Sequence, residues 1–135
     1  MASAAELHRA MFEAIGKRDF DGLRQLFASD ATHTSGDGVE KRGPEPVVEE
    51  ATTITTAFPD LEITVRQQLE PNDTLSVIEY TFSGTHRGEL EGVSPTGRAI
   101  CVVGCSVLEA RGGVITREAD YYDVMTLMSQ LGVAP

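Results

Sequence analysis

Positive charge is scarce in this 135-residue chain: 11 Lys and Arg stand against 21 Asp and Glu, for a formal net charge of −10. The acids are spread along the sequence, so no grouped basic surface is on offer to nucleic acid or to an anionic membrane, both of which reward clustered Lys and Arg. Long apolar runs are missing too. None reaches the roughly 18 residues that a membrane span needs, and MASAAELHRAMFEAIGKRD at the start interleaves charge with apolar residues where a signal peptide would be uninterrupted. The expectation is a cytoplasmic protein with neither nucleic acid nor membrane as partner. Cysteine is nearly absent, with only Cys101 and Cys105. They lie in the strand-like stretch AICVVGCSVLEA, where positions four apart are roughly 13 Å from each other. A disulfide needs Cα atoms within about 7 Å, and no C-x-x-C or neighbouring histidine suggests a metal site. Two reduced cysteines packed as small hydrophobes are expected. G-x-S-x-G, P-loop and G-x-G-x-x-G motifs are absent as well.

What remains is a length suited to one domain, residues 1–135, with an ordinary apolar fraction of 41% and room for both a core and a pocket. The first half has helical spacing. Leu7, Ala10, Met11, Ala14 and Ile15 share a stripe, and Ser3 with Glu6 forms a capping box. A second helix is expected over Phe20–Ala28 with Asp19 as N-cap, then a short strand over Ala31–Thr34. SGDGVEKRGPEP reads as loop. A third helix starts near Pro44 or Pro46 and runs to Ala57, ending before Phe58-Pro59-Asp60. Beyond Pro59 the period changes to two. Leu61–Leu69, Leu75–Ser83, Ile100–Ala110 and Val114–Tyr122 are strands, separated by turns at Pro71-Asn72-Asp73 and Arg111-Gly112-Gly113 and by a long glycine-rich connection through Pro95-Thr96-Gly97. Val124, Leu127, Met128 and Leu131 then restore helical spacing. Helices followed by an antiparallel meander make an α+β domain, and a curved sheet covered by helices encloses a cone-like pocket.

The chemistry concentrates in READYYD, residues 117–123. Alternation puts Val114, Thr116, Glu118, Asp120 and Tyr122 on one face of the last strand and Ile115, Arg117, Ala119 and Tyr121 on the other. If the first face is inward, two carboxyls share a desolvated site, and each raises the other's pKa. That tunes a carboxyl for general acid or base work near neutral pH. If it is outward, the acids are a solvated surface. Asp123 falls where the last helix begins and is read as its N-cap. Glu79 is an acid in an otherwise apolar strand, either a partner of Glu118 and Asp120 or an exposed cross-strand charge. His33 and His86 sit at strand–loop boundaries, where each is either a surface residue or a donor to a substrate carbonyl. His8, on the first helix, receives no role.

AFPDLEITV, EYTFSGTHRGELEGVSPTGR and GGVITREADYYDVMTLMSQLGV, with their FPD, GTHxG, PTG and E-x-D-Y-x-D elements, resemble the SnoaL-like polyketide cyclases of the NTF2-like superfamily. The likeness runs from about residue 5 to 132. It implies a cone-shaped α+β barrel, with N-terminal helices on a curved, mostly antiparallel sheet enclosing a pocket. It also implies a homodimer, a small hydrophobic ligand, and no metal or organic cofactor. Asp120 matches the acid/base position of the cyclases, with His86 assisting. His33, Glu79, Glu118 and Tyr122 are then expected to bind substrate. The cyclases also use polar residues on the penultimate strand, where this chain has Gly104, Cys105 and Ser106. Three activities fit: aldol-type cyclisation or isomerisation of a polyketide-like molecule, dehydratase or epoxide-hydrolase-like chemistry in the same pocket, and non-catalytic binding of a small ligand.

Overall fold

The computed structural model describes residues 1–133. Helix α1 (Ala4–Lys17) starts from the capping box of Ser3 and Glu6 and ends where Arg18 turns left-handed at φ 57°. Asp19 then caps α2 (Phe20–Gln25) by accepting from the Gly22 amide. Strands β1 (Phe27–Thr34) and β2 (Glu40–Arg42) follow, then α3 (Glu45–Ala57). Four long strands complete the sheet: β3 (Glu62–Asn72), β4 (Leu75–Thr85), β5 (Ala99–Arg111) and β6 (Val114–Tyr122). Helix α4 (Val124–Leu131) closes the described chain, capped by Asp123 through the Thr126 amide.

The six strands form one sheet in the order β2-β1-β6-β5-β4-β3. Every pairing is antiparallel except β1 with β6. Burial alternates along β4, where Ser76, Ile78, Tyr80 and Phe82 are buried and their neighbours half-exposed. The inner face of the sheet carries two apolar clusters. One gathers Leu7, Met11, Leu23, Phe27, Val47, Ala51, Leu108 and Ile115 from both helices and sheet. The other gathers Phe58, Ile78, Tyr80, Phe82, Val102, Leu127 and Leu131. Phe12 packs against both, and between them a space remains.

Three features depart from the sequence expectation, each because sheet pairing overrides a local pattern. Helix α2 stops at Gln25, and β1 begins at Phe27. The Ile115 amide donates to the Leu26 carbonyl at 2.8 Å and Phe27 pairs with Ile115, which draws this segment out of the helix. The loop SGDGVEKRGPEP contains β2, whose three residues are all exposed and so show no apolar period. A short, charged strand of this kind suits a sheet edge. The third departure is in β6. Ala110 pairs with Ile115 and Glu109 with Arg117, so Thr116 is an extra residue in a bulge. Ile115, fully buried, therefore shares the inner face with Glu118, and the expected grouping of Val114 and Thr116 with the acids does not hold. From Glu118 onward the alternation is regular again.

Candidate active site

The space between the two clusters is a cavity lined by apolar side chains that include Met11, Phe12, Val47, Ile54 and Phe82. Its volume is about 90 Å³. Its polar lining is confined to His33, Glu50, Tyr80, Glu118, Asp120 and Tyr122. Outside it lies a polar vestibule bordered by Asp37, Lys41, Glu49 and Glu91, and the two spaces share His33, Glu50 and Tyr122.

Asp120 and Glu118 point inward from β6, as one of the two sequence readings required. Asp120 is half-buried and lines the cavity. Burial, and next the charge of Glu118 beside it, hold its pKa well above the ordinary 3.8. The Tyr80 hydroxyl donates to Asp120 Oδ1 at 3.0 Å. Tyr80 sits on β4 and must cross β5 to reach β6. It can do so because the residue beneath it is Gly104: a Cβ there would lie 2.5 Å from the ring. Burial and Asp120 push the Tyr80 phenol upward, so it remains a donor.

Glu118 is 1% exposed. Its Oε2 accepts from Ser106 at 2.6 Å. Its Oε1 lies 2.7 Å from His33 Nδ1, but neither atom has a partner in hydrogen-bonding alignment. The contact is a close ion pair, not a linear hydrogen bond. On its other side, His33 Nε2 lies 2.5 Å from Glu50 Oε2, and Ser35 donates to Glu50 Oε1. Burial alone would lower the His33 pKa, but Glu118 and Glu50 together outweigh it and hold the imidazolium up to about 10. Tyr122 packs edge-on to Phe82 at 5.5 Å, with burial raising its phenol to about 12.

The structure thus brings together Asp120, Glu118, His33 and Tyr122 of the sequence-expected residues. It does not bring Glu79 or His86 to the cavity. Glu79 is on the outer face of β4, facing Arg66 at 3.8 Å. His86 is fully buried against Phe58 and accepts the Thr96 amide at Nδ1, 3.1 Å away. Sequence reasoning passed over Glu50, Tyr80, Ser106 and His8. Two of these carried a signal: Glu50 lies on the helical stripe of Val47, Ala51 and Ile54, and His8 on that of Ala4 and Met11, where a polar residue is conspicuous.

His33, Glu118 and Asp120 each offer one donor atom within 4.8 Å of the others, a set that could hold a metal ion. The 2.7 Å between His33 and Glu118 is closer than the about 3 Å that separates ligand atoms on one cation with bonds near 2.1 Å. It suits a direct ion pair.

Residues 5–131 match the model of the SnoaL-like polyketide cyclase family. No curated protein matches the sequence. Among solved structures, IdmH from Streptomyces antibioticus, a candidate polyketide cyclase, superposes with a TM-score of 0.82 at 28% identity, over 96% of this chain and 99% of its own. AclR from Streptomyces galilaeus, a candidate hydroxylase, gives 0.84 at 27%, over 98% and 85%. A candidate SnoaL-like polyketide cyclase from Jannaschia sp. CCS1 gives 0.87 at 18%, over 98% and 93%, and speaks for the fold alone.

Proposed function

The chain belongs to the SnoaL-like polyketide cyclase family, and from that premise we propose that it cyclises or isomerises a hydrophobic, polyketide-like small molecule by cofactor-free acid–base chemistry at Asp120. The observation that carries this reading is a carboxyl of raised basicity opening on an apolar cavity, with a phenol donating to it.

Ionised Asp120 removes a proton alpha to a substrate carbonyl, and the electron pair moves onto that oxygen as an enolate. The enolate carbon attacks a second carbonyl and forms the ring bond. The new alkoxide takes the proton back from Asp120, so protons and electrons balance. A base is more effective when its pKa approaches the working pH, and the raised pKa of Asp120 serves that end. Both His33 nitrogens face carboxylates, so its part is a fixed positive charge beside the cavity. Tyr122, a phenol bordering the cavity, is the donor assigned to the developing oxyanion, in the place first expected of His86. The apolar walls hold the two reacting carbons together, an orientation effect that can supply several kcal/mol of barrier reduction, with about 7–11 as the upper range.

The test is Asp120→Asn, assayed on the compound that copurifies with the protein, identified by mass spectrometry. Loss of about 10²–10⁴ in kcat is expected for removal of a general base; full retained activity would overturn the assignment. Titration of the Asp120 carboxyl by NMR separates enzyme from binder, because a non-catalytic binder has no need of a raised pKa. An ordinary carboxylate midpoint would favour simple binding.

A further inference from the structure

A line of buried polar groups runs away from the cavity through the core. Gln68 Nε2 donates to Ser76 Oγ at 3.1 Å, Ser76 Oγ is 2.7 Å from His8 Nδ1, and His8 Nε2 is 2.8 Å from Ser106 Oγ. Ser106 donates to Glu118 at 2.6 Å. Ser76, His8 and Ser106 are all fully buried, so every hydrogen in the line must be spent.

The direction of each bond follows from groups that can act in only one way. Arg9, a donor only, gives to Gln68 Oε1 at 2.6 Å, and the Ala5 carbonyl, an acceptor only, takes from Gln68 Nε2 at 3.1 Å. These two contacts fix the orientation of the Gln68 amide. Ser76 thus receives from Gln68 and gives its own hydrogen to His8 Nδ1. His8 must then carry its proton on Nε2 and give it to Ser106. Ser106 gives its hydrogen to Glu118. Were Glu118 the donor instead, the line would reverse, and the Ser76 hydroxyl hydrogen would lose its acceptor in a fully buried site. Leaving such a group unpaired costs about 1–3 kcal/mol. Among the described residues, His8 makes its side-chain hydrogen bonds to Ser76 and Ser106, both neutral. Its ring stacks on Phe12 at 5.5 Å, and burial depresses its pKa to about 4, which keeps it neutral and able to accept at Nδ1.

We propose that His8 is a positioning residue that, through Ser106, keeps Glu118 Oε2 a hydrogen-bond acceptor; with Oε1 set against His33, neither Glu118 oxygen is free to take a proton, and Asp120 is the cavity acid that takes it. His8 touches no substrate. Its effect is to strengthen Asp120 as a base. Of the groups around Asp120, Glu118 and Glu50 act in the same direction, the His33 charge and the Tyr80 hydroxyl act against it, and Tyr122 borders the same cavity. The inference rests on Asp120 as the group that trades the proton, but its test needs no substrate, so it can fail or succeed independently of the proposed reaction.

The experiment is NMR on the full chain, with ¹⁵N-labelled histidine and ¹³C-carboxyl aspartate. The His8 ring is expected to be neutral and protonated on Nε2 between pH 5 and 8. In Ser106→Ala the Asp120 midpoint is expected to fall by about tenfold or more in proton affinity, the worth of one hydrogen bond to a charged acceptor; in His8→Leu, where Ser106 keeps its acceptor but loses the donor that aims its hydroxyl, a smaller fall in the same direction is expected. His8→Gln, whose amide nitrogen reproduces the Nε2 donor, is expected to retain the wild-type midpoint. A merely structural His8 would leave the Asp120 midpoint unmoved in folded His8→Leu, and that outcome overturns the proposal, as does an unmoved midpoint in folded Ser106→Ala. So does a wild-type His8 protonated on Nδ1, a measurement that needs no variant to fold.

Discussion

Replacing Asp120 by asparagine should move activity and stability in opposite directions. A carboxyl whose pKa is raised by burial and by Glu118 destabilises the fold whenever it ionises. Asp120→Asn is therefore expected to gain on the order of 1 kcal/mol at neutral pH or above, in urea denaturation, while losing turnover. His33 gives a second residue-scale expectation. Its folded pKa of about 10 lies above its ordinary 6.5, so its contribution is complete below pH 6.5 and is lost as pH climbs through 10. Wild type minus His33→Gln should show that loss, on the order of a few kcal/mol in denaturation curves across this range. A bell-shaped rate profile should accompany it, rising where Asp120 ionises, at a pH above the usual carboxylate range, and falling near pH 10. At this scale the sequence was half legible. READYYD announced Glu118 and Asp120, whereas Glu50 and His8 show in the sequence only as polar residues on apolar helical stripes, and only the fold shows them joining a strand's acids.

The element that decides the site's shape is β5, through a residue it lacks a side chain for. Tyr80 reaches Asp120 across Gly104. Gly104→Ala should force the ring aside, cost about 1–3 kcal/mol of stability as an overpacked site, and remove the phenol from Asp120. The loss of that contact is readable as a shift in the Asp120 carboxyl titration. In the sequence, Gly104 looked like an absence of chemistry on the penultimate strand. A glycine's function here depends on which side chain lies over it, and that comes from the β4–β5 register. The bulge at Thr116 was equally hidden, since strict alternation is blind to one inserted residue and so placed Ile115 on the wrong face. Long strands and capped helices, by contrast, were legible because their signals are local. Ser3, Asp19 and Asp123 each cap the helix expected of them.

Across the whole molecule, two apolar clusters meet incompletely, and the cavity is what they leave. Ala51, small and on the cavity wall, is the place to fill it: Ala51→Leu should abolish binding of the copurifying compound, measured by calorimetry, with the thermal midpoint held or raised. The outer face of the sheet leaves Val103 about 49% and Tyr121 about 53% exposed. A homodimer burying that face is our expectation, and sedimentation of the double variant Val103→Glu, Tyr121→Glu should give a monomer if it is right. No described helix is long and apolar enough to cross a membrane.

The vestibule has a consequence for what arrives. Asp37, Glu49, Glu50 and Glu91 border it, against Lys41 and His33. Lys41 is held 3.9 Å from Asp37, and His33 is already flanked by two carboxylates. An approaching molecule with a free carboxylate would meet a field of its own sign in a confined space, whereas the corresponding ester would pass unopposed. The vestibule is therefore expected to favour neutral molecules over anionic ones, ahead of any selection by the shape of the cavity.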